Sequence, residues 1–402
     1  MKERMNEQMN ERAERKKDRK AELSCLNLLL CLLVIFIHAS SEPVSKLLRD
    51  SWQYFAVMVP WRLAAFVVQG FFFLSGVKLC LEAEKPFHPL PFYRRRFQSV
   101  VVPYLIAVAL YYCWFVHIGY FHFSLVDLAR YVVVGNLVSP FYFVVTIVQF
   151  YLLAPLFRAG AKRLSVGVLL AGSFAVMIIC RFYLLQNFAY ADRVFTTYLF
   201  YFVSGCAAGA HYQDFCNFLH RWTLPLCVLW AVLAAADICS FHGLVSQLKG
   251  AAEWIHTFYC IAAIPACAAL CLRIARHGLP RLIVTMDAVT YPVFLCHSFF
   301  IFWLNDKLTL LGITDLALRY GLRLAFVYPV SFSLCIGAQR LRQRFLPQRQ
   351  HQVAAHNRKK QIKHARPHVH KPSFCAAQTA TRPPSCDALQ AHRCRTPGAW
   401  CR

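Results

Sequence analysis

Apolar stretches of membrane-spanning length recur along the whole chain, and they restrict its fold more than any other feature. A helix needs roughly 20 apolar residues to cross the hydrocarbon core of a bilayer, whereas a barrel shows alternating segments of about ten. Only 16% of the residues are charged, against about 25% in soluble domains. The predicted fold class is therefore all-α, a polytopic integral membrane helix bundle of about ten transmembrane helices. The predicted spans are 23–40, 62–81, 99–117, 141–157, 164–184, 194–211, 222–241, 254–272, 282–304 and 320–338.

The net charge of +25 would suit a nucleic-acid-binding protein, but its distribution indicates a bilayer instead. The four loops assigned to the inside hold 11 Lys and Arg in 42 residues, and the five assigned to the outside hold 7 in 80. Basic residues are enriched in cytoplasmic loops of membrane proteins. The pattern predicts a multi-pass protein with both termini cytoplasmic, a lipid bilayer as partner and no nucleic acid.

Composition divides the chain into three parts. Residues 1–22 form a basic cytoplasmic N-terminus, residues 23–340 the membrane domain, and residues 341–402 a basic cytoplasmic tail. The tail is rich in Arg, His, Gln and Pro and has too few aliphatic residues to bury a core, so we expect disorder there. Most of the eighteen cysteines are scattered through or beside the spans without CxxC pairs, so no metal site is predicted.

Two short sequences repeat a pattern of aromatic residues followed by Ser-Gly. They are FFFLSG at 71–76 and FYFVSG at 200–205, the second continuing CAAGA. Small residues on one helix face allow close approach of helices in lipid. Both segments are predicted to be helix-packing surfaces.

Three consecutive arginines, Arg94, Arg95 and Arg96, precede the apolar sequence SVVVPYL. Two interpretations remain open. Basic residues at the cytoplasmic end of a span set its orientation. A guanidinium cluster also binds phosphate in bidentate fashion, and the free amides of a helix start would add positive potential. The same cluster can serve both purposes.

Several segments together resemble the acyltransferase 3 family, multi-helix membrane enzymes that O-acylate surface polysaccharides. They are LNLLLCLLVIFIHAS, FFFLSG, FYRRRFQSVVVPYL, FYFVVTIVQFYLLAPLF and YPVFLCHSFF, in this order. The resemblance implies a cell (inner or plasma) membrane enzyme that moves an acyl group, expected to be acetyl, from cytoplasmic acyl-CoA to a hydroxyl of a cell-surface or lipid-linked glycan. Acyl-CoA would be a co-substrate, and no other cofactor is expected.

The chain departs from the family pattern at two positions. The family usually has an arginine eleven positions before the histidine of the first helix, and Asn27 stands there in this chain. It also tends to have a second basic residue three positions after the arginine that starts the third helix, where this chain has Ser99. Both substitutions remove a characteristic charge.

Two histidines are the predicted catalytic residues. His38 lies fifteen residues after Leu23, roughly 22 Å along a helix and so in the outer half of the bilayer. His297 reaches a similar depth in the ninth span. An ionisable residue inside a span indicates function, and imidazole suits a general base near neutral pH. An interfacial His38 and a His297 packed against a carbonyl remain alternatives.

The family resemblance assigns donor binding to Arg94, Arg95 and Arg96, with Ser75 lining the path between them and the histidines. Two other function classes stay open. One is a transporter of a glycan or lipid-linked sugar, although no pair of inverted repeats is visible. The other is a non-catalytic relative of the acyltransferases, which the two lost charges favour.

Overall fold

The computed structural model describes residues 20–81, 83, 85–276 and 278–364. Within these ranges every regular element is helical, which confirms the all-α fold class. The chain divides into Met1–Gln343 and Arg344–Arg402. The predictions for residues 1–19 and 365–402 lie outside the described residues.

The fifteen α-helices of the described part are α1 (Ala21–Lys46), α2 (Trp52–Leu63), α3 (Val67–Cys80), α4 (Pro89–Arg96), α5 (Val102–His117), α6 (Leu125–Val134), α7 (Tyr142–Leu152), α8 (Ala154–Arg163), α9 (Val166–Ile179), α10 (Leu199–Ala210), α11 (Tyr212–His242), α12 (Ala252–Ala275), α13 (Arg281–Asp287), α14 (Thr290–Leu310) and α15 (Leu316–His364).

Shorter helical segments join several of these helices. A π-helix, Phe97–Val101, makes α4 and α5 one continuous rod, and a second π-helix, Cys180–Leu184, extends α9. The 3₁₀ segments are Ser139–Phe141, Ala191–Arg193, Phe195–Tyr198 and Ser246–Ala251. All four lie in connections between consecutive α-helices.

Seven helices in the described residues are long and apolar enough to cross a membrane. They are Ala21–Lys46, Trp52–Cys80, Pro89–His117, Val166–Leu184, Tyr212–His242, Ala252–Ala275 and Leu316–Arg344. Two further helix pairs reach that length only if each is counted as one bent span: Leu125–Val134 with Ser139–Leu152, bent by 58°, and Arg281–Asp287 with Thr290–Leu310, bent by 73°. The bundle is therefore that of a multi-pass membrane protein.

The structure does not confirm the count of about ten spans, because the predicted span 194–211 contains only a short α-helix. That helix, α10, has 12 residues, about 18 Å in length, against a hydrocarbon core of roughly 30 Å. Its apolar composition reflects burial in protein, since most of its side chains pack against neighbouring helices.

The two Ser-Gly segments are helix-packing surfaces, as predicted, and the structure shows that they pack against each other. A Cβ added at Gly76 on α3 would lie 2.1 Å from the carbonyl oxygen of Phe202, and one at Gly205 on α10 would lie 2.0 Å from that of Phe73. A Cβ at Gly209 would lie 2.4 Å from the carbonyl oxygen of Val77. Residues 205 and 209 form a GxxxG sequence, whose missing side chains allow backbone-to-backbone contact. This contact joins α3 and α10 within the larger buried apolar cluster.

Candidate active site

The two predicted catalytic histidines lie side by side. His38 on α1 and His297 on α14 have ring centroids 5.3 Å apart, with the ring planes inclined by 41°. His297 is fully buried, whereas His38 is half-buried. Residues 259 positions apart in the sequence thus form one imidazole pair inside the bundle.

Hydrogen bonds to the backbone fix the tautomer of His297. Its Nδ1 lies 2.7 Å from the carbonyl oxygen of Phe294 and 3.2 Å from that of Val293. A carbonyl oxygen can only accept, so Nδ1 carries the proton and Nε2 has a free lone pair. The hydroxyl of Ser298, 3.3 Å away, can donate to Nε2. In the described part of the chain no hydrogen bond involves the ring of His38, so a nitrogen lone pair of that ring is available to a substrate.

A tyrosine from α5 supports the helix turn that carries His297. The hydroxyl of Tyr111 accepts from the backbone N–H of Phe299 at 2.6 Å and donates to the carbonyl of Leu295 at 3.1 Å. These two backbone groups are four residues apart and are the natural partners within an α-helix. Tyr111, which is almost fully buried, therefore joins the backbone hydrogen bonding of α14 around His297.

The three arginines lie at the other end of the rod that carries Tyr111. Tyr111 follows Arg96 by fifteen residues, which is roughly 22 Å along the helix. Arg94 and Arg95 are exposed, and the guanidinium of Arg96 lies 4.6 Å from the ring centroid of Tyr151. The cluster is thus open to solvent and remote from the histidine pair.

One detail of the sequence prediction for these arginines is wrong. They do not lie at a helix start, because α4 begins at Pro89 and the arginines form its last turn. The backbone amides there are used within the rod, so they add no positive potential of the kind found at a helix N-terminus. Any phosphate binding at this cluster must come from the guanidinium groups themselves.

Ser75 lies on α3 beside Gly76 and is half-buried. Its hydroxyl makes no hydrogen bond within the described residues. Phe71 lies one helical turn before Ser75 on α3. Its ring contacts that of Phe294 on α14, with the ring centroids 6.3 Å apart. Ser75 is therefore half-buried on a helix that packs against α14, and no hydrogen bond in the described residues joins it to either predicted cluster.

Comparison with known proteins identifies the family. The model of the acyltransferase 3 family, described as an acyltransferase domain, matches residues 21–339, most of the chain. The chain belongs to the acyltransferase 3 family. No curated protein and no solved structure matches it. Membership in this family, together with the apolar helices, supports a membrane acyltransferase.

The structure shows what surrounds the position where this family usually has an arginine. The side-chain amide of Asn27 donates to the carboxylate of Asp287 at 2.6 Å and to the hydroxyl of Thr290 at 2.8 Å. Asp287 is only 4% exposed. A buried carboxylate favours a cation as its partner, whereas Asn27 gives Asp287 a hydrogen bond without a positive charge. Ser99, the second departure, is exposed on the π-helix.

A separate polar cluster lies at the ends of α2, α11 and α12. Arg62 donates two hydrogen bonds to Asp237, at 2.7 and 2.8 Å, and His256 lies 3.2 Å from the same carboxylate. Arg181 and Glu253 are 3.6 Å apart. Because most of these charges are paired within the protein, the cluster serves to join helices.

Sequence reasoning missed two residues near the histidines. Tyr111 has no distinguishing signal, since it is one tyrosine in an aromatic-rich helix. Arg323 has one: it is a charged residue inside an apolar stretch, and it is only 1% exposed. Such residues in a span indicate function or a buried partner. Among the described residues, no group of three or more His, Cys, Asp or Glu could hold a metal ion.

Proposed function

We propose that this protein is a membrane O-acyltransferase that moves an acetyl group from cytoplasmic acyl-CoA to a hydroxyl of a cell-surface or lipid-linked glycan. The observation that carries the proposal is the imidazole pair. His38 has a free ring nitrogen inside the bundle, next to a second histidine of fixed tautomer, in a chain of an acyltransferase family. The expected location is the cell membrane, with both termini cytoplasmic.

The donor would bind at the end of the bundle that carries the arginines. Arg94 and Arg95 are exposed there, and guanidinium groups match the phosphates of the coenzyme A nucleotide. The roughly 22 Å between Arg96 and Tyr111 must then be crossed by the flexible pantetheine arm, which carries the thioester. Ser75, inside the bundle and without a hydrogen-bond partner among the described residues, is a polar group that this arm could meet.

His38 would act as the general base. As the acceptor oxygen attacks the thioester carbonyl, His38 takes the hydroxyl proton; the C–S bond then breaks, and the departing sulfur of coenzyme A receives that proton. The His297 ring is fixed by the bonds of its Nδ1 proton to backbone carbonyls, and it would support the first ring by packing against it, with the centroids 5.3 Å apart. The products are an O-acyl ester and free coenzyme A, so atoms and charge balance.

One observation favours a transporter as the second candidate. Two helix pairs are bent by 58° and 73° at short breaks, and interrupted helices commonly form substrate sites in transporters. Such a protein would move a glycan or lipid-linked sugar and would transfer no acyl group. The loss of the family arginine at Asn27 keeps a non-catalytic relative as a further outcome.

An assay with radiolabelled acetyl-CoA distinguishes the enzyme from the transporter and the non-catalytic relative. The purified protein in detergent micelles is incubated with the labelled donor and a membrane glycan extract, and label in the glycan fraction is counted. An enzyme transfers label in proportion to protein and time. A transporter or a non-catalytic relative transfers no label. A second assay distinguishes these two, because only a transporter moves labelled glycan across the membrane of proteoliposomes that contain the protein.

A further inference from the structure

One carbonyl group next to His38 cannot be satisfied by its own helix. In α1 the carbonyl of Ala39 would normally accept from the N–H of residue 43, but that residue is Pro43, which has no N–H. Ala39 is fully buried, so water cannot supply the missing donor. A buried, unsatisfied carbonyl costs free energy, and a proline inside a helix also favours a kink.

The missing donor comes from Arg323 on α15. Its Nη1 lies 2.7 Å from the carbonyl oxygen of Ala39. The same guanidinium donates to the side-chain oxygen of Asn305 on α14, through Nε at 3.2 Å and Nη2 at 2.8 Å, and it pairs with Glu42 on α1. All three nitrogen atoms of the guanidinium are therefore engaged with α1 and α14.

These contacts connect the two helices that carry the histidines. Ala39 directly follows His38, and Glu42 lies one helical turn beyond it. Asn305 lies about two turns beyond His297. A hydrogen bond of 3.0 Å between Ser40 and Tyr320 adds a second contact between α1 and α15. One buried side chain thus bridges α1 and α14 near the imidazole pair, beside the apolar cluster that these helices share with α15.

We propose that Arg323 is a positioning residue for His38, holding α1 straight at Pro43 and setting the separation of the two imidazole rings. This inference rests on the proposed function, in which His38 is the base. Arg323 is only 1% exposed and its nitrogen atoms are occupied, so it acts through His38 and not on the substrate. A base displaced by about 1 Å can lose a large factor in rate.

The test is Arg323→Gln, with Arg319→Gln as the matched control. Arg319 lies one turn earlier on α15 and bonds Thr309 and the carbonyls of Ile313 and Asn305, all outside α1. We expect Arg323→Gln to lower kcat for acyl transfer at least tenfold and to leave KM for acetyl-CoA within twofold. The control should retain kcat within threefold. Equal kcat in the two variants would overturn the inference.

A double variant separates positioning from general stabilisation. If Arg323 acts through His38, then His38→Gln/Arg323→Gln should have the same residual rate as His38→Gln within twofold. A further tenfold loss would mean an independent role and would overturn the inference. If His38→Gln alone keeps full activity, the proposed function fails; if it is inactive while the Arg323 variants are unaffected, only this inference fails.

Arg323→Lys is the second variant if the glutamine protein does not fold. Lysine keeps the charge beside Glu42 but has one ammonium nitrogen where the planar guanidinium has three, so the contacts to Ala39, Glu42 and Asn305 cannot keep the same geometry. We therefore expect kcat still to fall at least threefold. Pro43→Ala restores an N–H opposite the carbonyl of Ala39. Adding it to Arg323→Lys should recover at least half of the lost rate. Wild-type kcat in Arg323→Lys, or no recovery with Pro43→Ala, would contradict the proposed role.

Discussion

The contact between α3 and α10 gives the sharpest test of the fold. We predict that Gly205→Ala destabilises the protein, because the added Cβ would lie 2.0 Å from the carbonyl oxygen of Phe73. Cβ atoms essentially never come closer than 3.0 Å to a non-bonded heavy atom of another part of the chain. The two backbones must therefore separate by about 1 Å along a contact that Gly76 and Gly209 also share.

The expected magnitude follows from two opposing effects. Overpacking in a well-packed core costs about 1–3 kcal/mol, and contact with backbone, which cannot rotate away, favours the upper part of that range. Replacing glycine by alanine in a helix interior gains up to about 1 kcal/mol. The net destabilisation should be about 2 kcal/mol.

The assay is the apparent melting temperature of the protein in detergent, followed by size-exclusion chromatography after heating. Gly172→Ala on α9 is the matched control, since a Cβ there meets nothing within 4 Å. We expect the control to melt at or slightly above the wild-type temperature and Gly205→Ala several degrees below it. Equal melting temperatures for the two variants would refute the close packing of α3 on α10.

Three further predictions concern the donor end, the topology and His297. Replacing Arg94–Arg96 with glutamine should weaken coenzyme A binding, measured by calorimetry, since each charge-assisted bond is worth roughly 1.5–3 kcal/mol; unchanged binding would leave these residues as topology signals. Reporter fusions after Lys20 and Arg340 should both give cytoplasmic signals, and an external signal from either contradicts the assigned orientation. Tyr111→Phe removes the hydroxyl between two backbone groups of α14 and should lower the acyl-transfer rate about tenfold, by analogy with other misplaced catalytic groups. The control is Tyr104→Phe, because the hydroxyl of Tyr104 donates to the carbonyl of Val132 at 2.9 Å and its loss should leave the acyl-transfer rate unchanged. Equal rates in the two variants would refute the role of Tyr111.

The helical fold and the choice of His38 and His297 as candidate residues could be predicted from the sequence, because both depend on strong local signals. The contact between the two rings stays open at that level. Apolar length determines a spanning helix, and an ionisable side chain at a given depth suggests a site. The small-residue pattern around Gly76 and Gly205 likewise predicted close packing. In each case the residues of one short segment are enough to predict the feature.

Other features depend on contacts that no local pattern contains. The shortness of α10 could not be read from its composition, because burial in protein and burial in lipid select the same residues. The arginines were placed at a helix start, but Pro89 begins the helix earlier. The role of Arg323 depends on a carbonyl 284 positions away, and the partner of Asn27 lies 260 positions away.

The most direct test of the account is the acyl-transfer rate of His38→Gln in purified protein with radiolabelled acetyl-CoA. Glutamine keeps a hydrogen-bonding group but cannot accept a proton near neutral pH, and general-base catalysis contributes about 10²–10⁴-fold. His117→Gln, at the exposed end of α5, is the matched control. We expect His38→Gln to bind coenzyme A normally and to transfer acyl groups at least a hundredfold more slowly, with the control near wild type. A His38→Gln protein that retains most of its activity would contradict the assignment of His38 as the base.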